Sequence, residues 1–153
     1  MPKKSFSVDS SDFDRRFRYT VGTAIPDLVR IGLGRAAMQL LRDTSLVEPT
    51  VPHEEGFLRG SGSAFVGRKL IGTSSAGRSR YETHSSGFDF AAGSLEAVVG
   101  FNAPYAARHH EVPANFKEPG SGNKYLEAKL VMFKNQYARI VAEAVAKKAG
   151  GVL

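Results

Sequence analysis

The chain has 153 residues, of which 42% are hydrophobic, 24% charged and 10% aromatic, and that length and composition suit one globular domain. It holds no cysteine, which excludes disulfides, thiolate metal sites and a cysteine nucleophile. Its 21 basic and 15 acidic side chains leave a net charge of +6, a balance that favours an acidic or nucleic-acid partner without specifying one.

Residues 1–10 are polar and are expected to fray, leaving 11–150 as a single domain. The opening stretch lacks the apolar core of a secretory signal, and no apolar run reaches the ~18–20 residues that cross a bilayer, so a soluble protein with no membrane partner is expected. From Ser11 the pattern turns helical, with Phe13, Phe17 and Val21 at i, i+4 and i+8. Pro26 lacks an N–H and interrupts it. A second helix is predicted from about Asp27 to Arg42 with Pro26 at its first position, burying Leu28, Ile31, Met38 and Leu41 with Leu33, Ala37 and Leu40. Gly32 and Gly34 each weaken it by ~1 kcal/mol relative to alanine, and mark a bend or a close packing contact.

Residues 43–56 hold two prolines and four acids and read as an exposed connector. Residues 57–72 are short apolar runs broken by glycine, which predicts a strand and a return. Residues 78–102 offer two or three further strands, with turns at Ser85–Gly87 and Gly93–Ser94. The stretch 56–94 is thus either a curled hairpin or an extended β arm ordered by a partner. After Pro104, YAARHHE predicts one or two helical turns, followed by a loop broken by Pro113, Pro119, Gly120 and Gly122. The last segment is the most regular: Leu126, Leu130, Phe133, Tyr137, Ile140, Ala144 and Val145 recur at steps of three and four, and Gly150 terminates the helix. The order helix, strands, helix predicts an α+β fold, an antiparallel sheet with a long β-hairpin arm packed against an N-terminal and a C-terminal helix.

Several motifs reduce to structure when weighed. GLGRAA at 32–37 fits the loose dinucleotide pattern, but it sits in mid-helix with no preceding strand. His109, His110 and Glu111 are adjacent, so on a helix they diverge by about 100° each and do not close on one metal ion. Gly72–Ala76 lacks the final glycine of a nucleophile elbow, and Glu54–Glu55 lie in a proline loop. No catalytic, cofactor or metal site is assigned. The most suggestive physical feature is the basic stretch 56–81, with Arg59, Arg68, Lys69, Arg78 and Arg80 and no intervening acid. Such an arm can face a protein or follow a phosphate backbone. A free nucleic-acid-binding module is therefore the alternative reading of the whole chain.

Three blocks carry a family resemblance. Pro49 to Ser61 (PTVPHEEGFLRGS) resembles the proline, acid, glycine, Leu-Arg and serine element of tailed-phage minor capsid, neck and tail-completion proteins, with Glu55 where that family often has threonine. Val99 to Ala106, leading to His110–Glu111, resembles the family's strand and following Tyr-Ala…Glu element. Lys124 to Leu130 resembles its helix start after a loop. The resemblance implies a virion structural protein of the head–tail junction, assembled in the host cytoplasm: a neck, connector, tail-completion or tail-terminator subunit without catalysis or cofactor. It implies a homo-oligomeric ring of roughly six or twelve copies, docked to other neck, portal-side or tail-tube proteins. In such a ring Arg59, Arg68, Lys69, Arg78 and Arg80 would line an interface or a lumen passed by genomic DNA. Tyr105, His110 and Glu111 would form a structural motif where the last strand leaves the sheet, Glu111 accepting hydrogen bonds from backbone donors of the next loop.

Overall fold

A computed structural model describes residues 11–74 and 95–149. The expectations for residues 1–10, for strands and turns within 75–94, and for Arg78 and Arg80 lie outside those residues. Helix α1, Ser11–Tyr19, runs through a π-helical turn, Thr20–Ala24, directly into α2, Ile25–Leu46. The second helix carries Pro26 in its first turn, as expected, but no break separates it from the helix before. The wider turn removes the need for its missing N–H and makes room for its ring, while Ala24 (φ −66°, ψ −44°) and Ile25 (φ −65°, ψ −49°) stay helical. Helix α2 ends where Val47 turns extended (φ −114°, ψ 132°).

A single helical turn, α3 (Phe57–Gly60), leads into β1 (Gly62–Val66), β2 (Lys69–Thr73), β3 (Ala97–Phe101), α4 (Ala106–Glu111) and α5 (Tyr125–Ala149). The turn at α3 corrects the strand expected from Phe57. Gly56 supplies the left-handed conformation (φ 85°) that starts this turn, which an L side chain resists. The sheet order is β2–β1–β3 and both pairs are antiparallel, with Val66 opposite Lys69 in the hairpin and Gly62 opposite Phe101 on the other side. The fold is α+β. Strand β1 is buried along its length whereas β2 is largely exposed, so the first strand of the expected arm is the centre of the body.

Helix α2 lies between the sheet and α5. One face packs Ala37 and Leu41 on Ala64 of β1, with Val99 and Phe101 of β3 alongside. The next face packs Ala36 and Leu40 on Tyr137 of α5. At Gly32 the helices come so close that a Cβ would stand 2.8 Å from the Cα of Val141, which makes this glycine a packing contact. Two expected core positions are corrected: Ile31 is 40% exposed and Leu130 48%. In α5 the buried place goes to Lys129, because Phe133 departs from helical geometry (φ −117°, ψ 15°) and turns the first two turns of the helix relative to the rest. The segment 43–56 is also more than a connector, since Asp43, Thr44, Thr50, Val51, Pro52 and Gly56 are buried.

Candidate functional site

The three blocks that carry the resemblance meet at one end of the body. Val51, Leu58, Ala103, Ala106 and Tyr125 form one apolar cluster, with Phe101 and Leu126 packed on it. Tyr125 is 1% exposed; its ring meets Phe101 edge-on at 5.4 Å, and its hydroxyl donates to the Ala106 carbonyl at 3.1 Å. Burial pushes this phenol's pKa well above the ordinary tyrosine value, with a smaller push from Glu111.

Polar groups tie the same blocks together. The Ser61 hydroxyl donates to the Leu58 carbonyl at 2.7 Å and accepts from the Ala103 amide at 3.1 Å, joining the end of α3 to the chain leaving β3. Thr50 pairs with the 120–122 loop through the Thr50 N–H to Gly120 carbonyl bond, 2.8 Å, and the Gly122 N–H to Thr50 carbonyl bond, 3.1 Å. Lys129, fully buried, donates from Nζ to the Pro49 carbonyl at 2.8 Å. Desolvation lowers its pKa from the ordinary lysine value, partly opposed by the nearby Asp43 carboxylate. Asp43 itself accepts from Gln39 Nε2 and from the Tyr137 hydroxyl, each at 2.8 Å. These bonds fix the end of α2 and the 47–52 segment onto α5.

Arg59 is drawn into this knot. Its guanidinium donates to the Val51 carbonyl at 2.7 Å and to Glu118 Oε2 at 2.6 Å, and its side chain is 13% exposed. A carbonyl and a carboxylate converge on one guanidinium nitrogen, Nη2, which ties Arg59 to the Val51 and Glu118 segments. Arg68, in the β1–β2 turn, and Lys69, at the start of β2, are exposed.

Tyr105, His110 and Glu111 lie where the chain leaves β3, as expected, but Glu111 is served by side chains. It accepts from Lys124 Nζ and from His110 Nδ1, the latter at 2.7 Å. The Lys124 hydrogen bond, then that of His110, hold its carboxyl below the ordinary value of 4.5. His110 packs edge-on against Tyr125 at 4.9 Å, and its Nε2 stands 3.4 Å from the Glu127 amide in the first turn of α5. His109 turns the other way, between Tyr105 (5.4 Å) and Phe116 (5.7 Å). The two imidazoles therefore diverge. Among the described residues no three His, Asp or Glu side chains stand together as metal ligands.

Lys129 and Tyr125 stood in the third block with no role assigned to them, and Asp43 and Glu118 lay outside all three. Only the spacing Tyr125, Lys129, Phe133, Tyr137 at steps of four hinted at the first, and a lysine on a buried stripe reads as a break in it. Outside the knot, α1 has no buried residue: Phe13 is 68% exposed and Phe17 57%, their rings stacked at 6.0 Å. Comparison with family models, characterised proteins and solved structures finds no match to this chain.

Proposed function

We propose that the chain is a structural subunit of a tailed-phage head–tail junction, working by ring assembly and docking with no chemical step. The observation that carries this reading is the knot. The blocks at 49–61, 99–111 and 124–130, which resemble a neck or tail-completion protein, pack on one another through Val51, Leu58, Ala106 and Tyr125 and through the Ser61 and Lys129 hydrogen bonds. Residues important only to a shared fold are expected to behave in this way, because they touch each other and not a substrate.

The unburied stripe of α1 supports assembly. A helical extension that buries no residue of its own and holds Phe13, Phe17 and Tyr19 outward gains from a partner surface. Light scattering and electron microscopy of the purified chain test the proposal, with Phe13→Ser/Phe17→Ser as the variant. Ring-sized particles lost in the double variant are expected, or a monomer that assembles only on isolated phage heads or tails. A folded monomer that binds neither, and instead binds duplex DNA with steep salt dependence, would replace this reading with the nucleic-acid module.

A further inference from the structure

A second surface lies on the opposite side of α2 from α5. Helix α2 and the exposed strand β2 enclose an open groove of about 970 Å³ whose floor is Ile31, Met38, Leu41, Val66 and Ile71. Its α2 wall runs from Arg30 to Leu46, about 24 Å at 1.5 Å per residue, which is the length of a helix of about four turns. Besides Arg30, which is paired with Asp27, three cations stand on its rim: Arg35 and Arg42, one heptad apart on α2, and Lys69 on β2. All three are exposed, and among the described residues none has a carboxylate partner and no Asp or Glu lines the groove.

We infer that this groove is a docking site for an acidic amphipathic helix of a partner protein. An apolar floor excludes a phosphate backbone, which would leave its charges against hydrocarbon. Unpaired cations along an apolar trough instead match carboxylates flanking an apolar stripe, the helix-in-groove mode of recognition. The chain's own α1, offered by a second copy, is the rival occupant and fits less well. It carries Arg15, Arg16 and Arg18 against Asp12 and Asp14, so it brings net positive charge to a positive rim. This inference goes beyond the junction reading and holds whether or not the chain forms a ring.

The test is fluorescence anisotropy of the full chain with a synthetic helical peptide of about 16 residues, leucines along one face and glutamates on both flanks. A second peptide has lysine at every glutamate. The glutamate peptide is expected to bind, and the lysine peptide to bind at least about tenfold more weakly. Arg35→Glu/Arg42→Glu is expected to weaken the glutamate peptide by about tenfold or more, as is raising the salt to about 0.5 M. Ile31→Ser, at a half-exposed floor position, is expected to weaken it without changing the rim. Circular dichroism checks that each variant is folded. No binding, or equal binding of both peptides, overturns the inference. So does a chain that self-associates until Arg35→Glu/Arg42→Glu makes it monomeric while the peptide fails to compete, because the groove then belongs to a second copy.

Discussion

Gly32 and Gly34 sit two residues apart on α2, about 200° around the helix, so the same substitution tests two opposite interfaces. Alanine gains ~1 kcal/mol of helix propensity at either position, and the change to the unfolded chain is common to both. At Gly34 a Cβ meets Ile71 Cγ2 at 3.6 Å and Val66 Cγ2 at 3.7 Å, ordinary van der Waals contact, so Gly34→Ala is expected to be stabilising by about 1 kcal/mol. At Gly32 a Cβ stands 2.8 Å from Val141 Cα, 3.0 Å from Val141 O and 3.2 Å from Ala144 Cβ. Two of those atoms are helix backbone and cannot swing aside. Helix α5 must retreat by about 1 Å, forfeiting a quarter to a half of each affected contact across the interface, a cost of about 1–3 kcal/mol. The two variants should therefore differ by about 2 kcal/mol, or roughly 4–8 °C in melting temperature for a chain of this size. Urea and thermal unfolding of both read the difference directly. A Gly32→Ala protein as stable as Gly34→Ala would refute the close α2–α5 approach.

Arg59→Ala removes the nitrogen that serves the Val51 carbonyl and Glu118 together, and is expected to cost about 2 kcal/mol in a urea melt; an unchanged midpoint would make Arg59 an ordinary surface cation. Lys129→Ala strips the donor from the Pro49 carbonyl and opens a cavity in the knot, for an expected loss of about 2–4 kcal/mol on the same assay. Tyr137→Phe leaves Asp43 Oδ2 without its phenol donor and should cost about 2 kcal/mol near neutral pH. Burial, then the Asp43 interaction, raises the Tyr137 pKa, and burial raises that of Tyr125, so the folded chain keeps protons that the unfolded chain loses above pH 10.0. Stability therefore falls as pH rises through that value, by up to ~1.4 kcal/mol per pH unit for each tyrosine, and Tyr137→Phe should flatten the decline in urea midpoints. Glu111 acts at the other end: its lowered pKa stabilises the fold above 4.5, and that contribution is lost as pH falls through the folded value, so Glu111→Gln should blunt the acid limb.

What the sequence revealed, and what it hid, divides along physical lines. Helices α2 and α5, the β1–β2 hairpin and the turns of α4 were legible because each rests on local periodicity or on a glycine or proline signal. Pro26 was legible as a first-turn residue of α2, but not the π turn before it, which joins α1 to α2 without a break. Leu130 and Lys129 were exchanged because the period of α5 is interrupted at Phe133, a tertiary effect of fitting the helix against both α2 and the 49–51 segment. The knot was half visible. Its apolar and glycine members stood out as motif residues, but the partners Glu118 for Arg59 and Pro49 for Lys129 lie 59 and 80 residues away, and no local rule joins them. Glu111 was expected to accept from backbone amides and accepts from Lys124 and His110 side chains instead.

The distribution of exposed apolar residues bears on the kind of assembly proposed. Phe13 and Phe17 lie on α1, Val21 in the π turn and Ile25 at the start of α2, while Leu130, Val131 and Met132 lie early in α5. Gly32 faces Val141 and Ala144, whereas Pro49, beyond the other end of α2, faces Lys129. The α1 stripe therefore leaves the helical pair at the end near Val141, and the α5 patch sits toward the opposite end, about 20 Å away along α5. A head-to-tail contact, in which each copy offers one surface forward and the other back, uses both surfaces, and it closes into the proposed ring where the rotation between copies returns to the start. A two-fold pair that sets each end against the partner's other end is the competing use of the same two surfaces, and the particle size in light scattering separates the two.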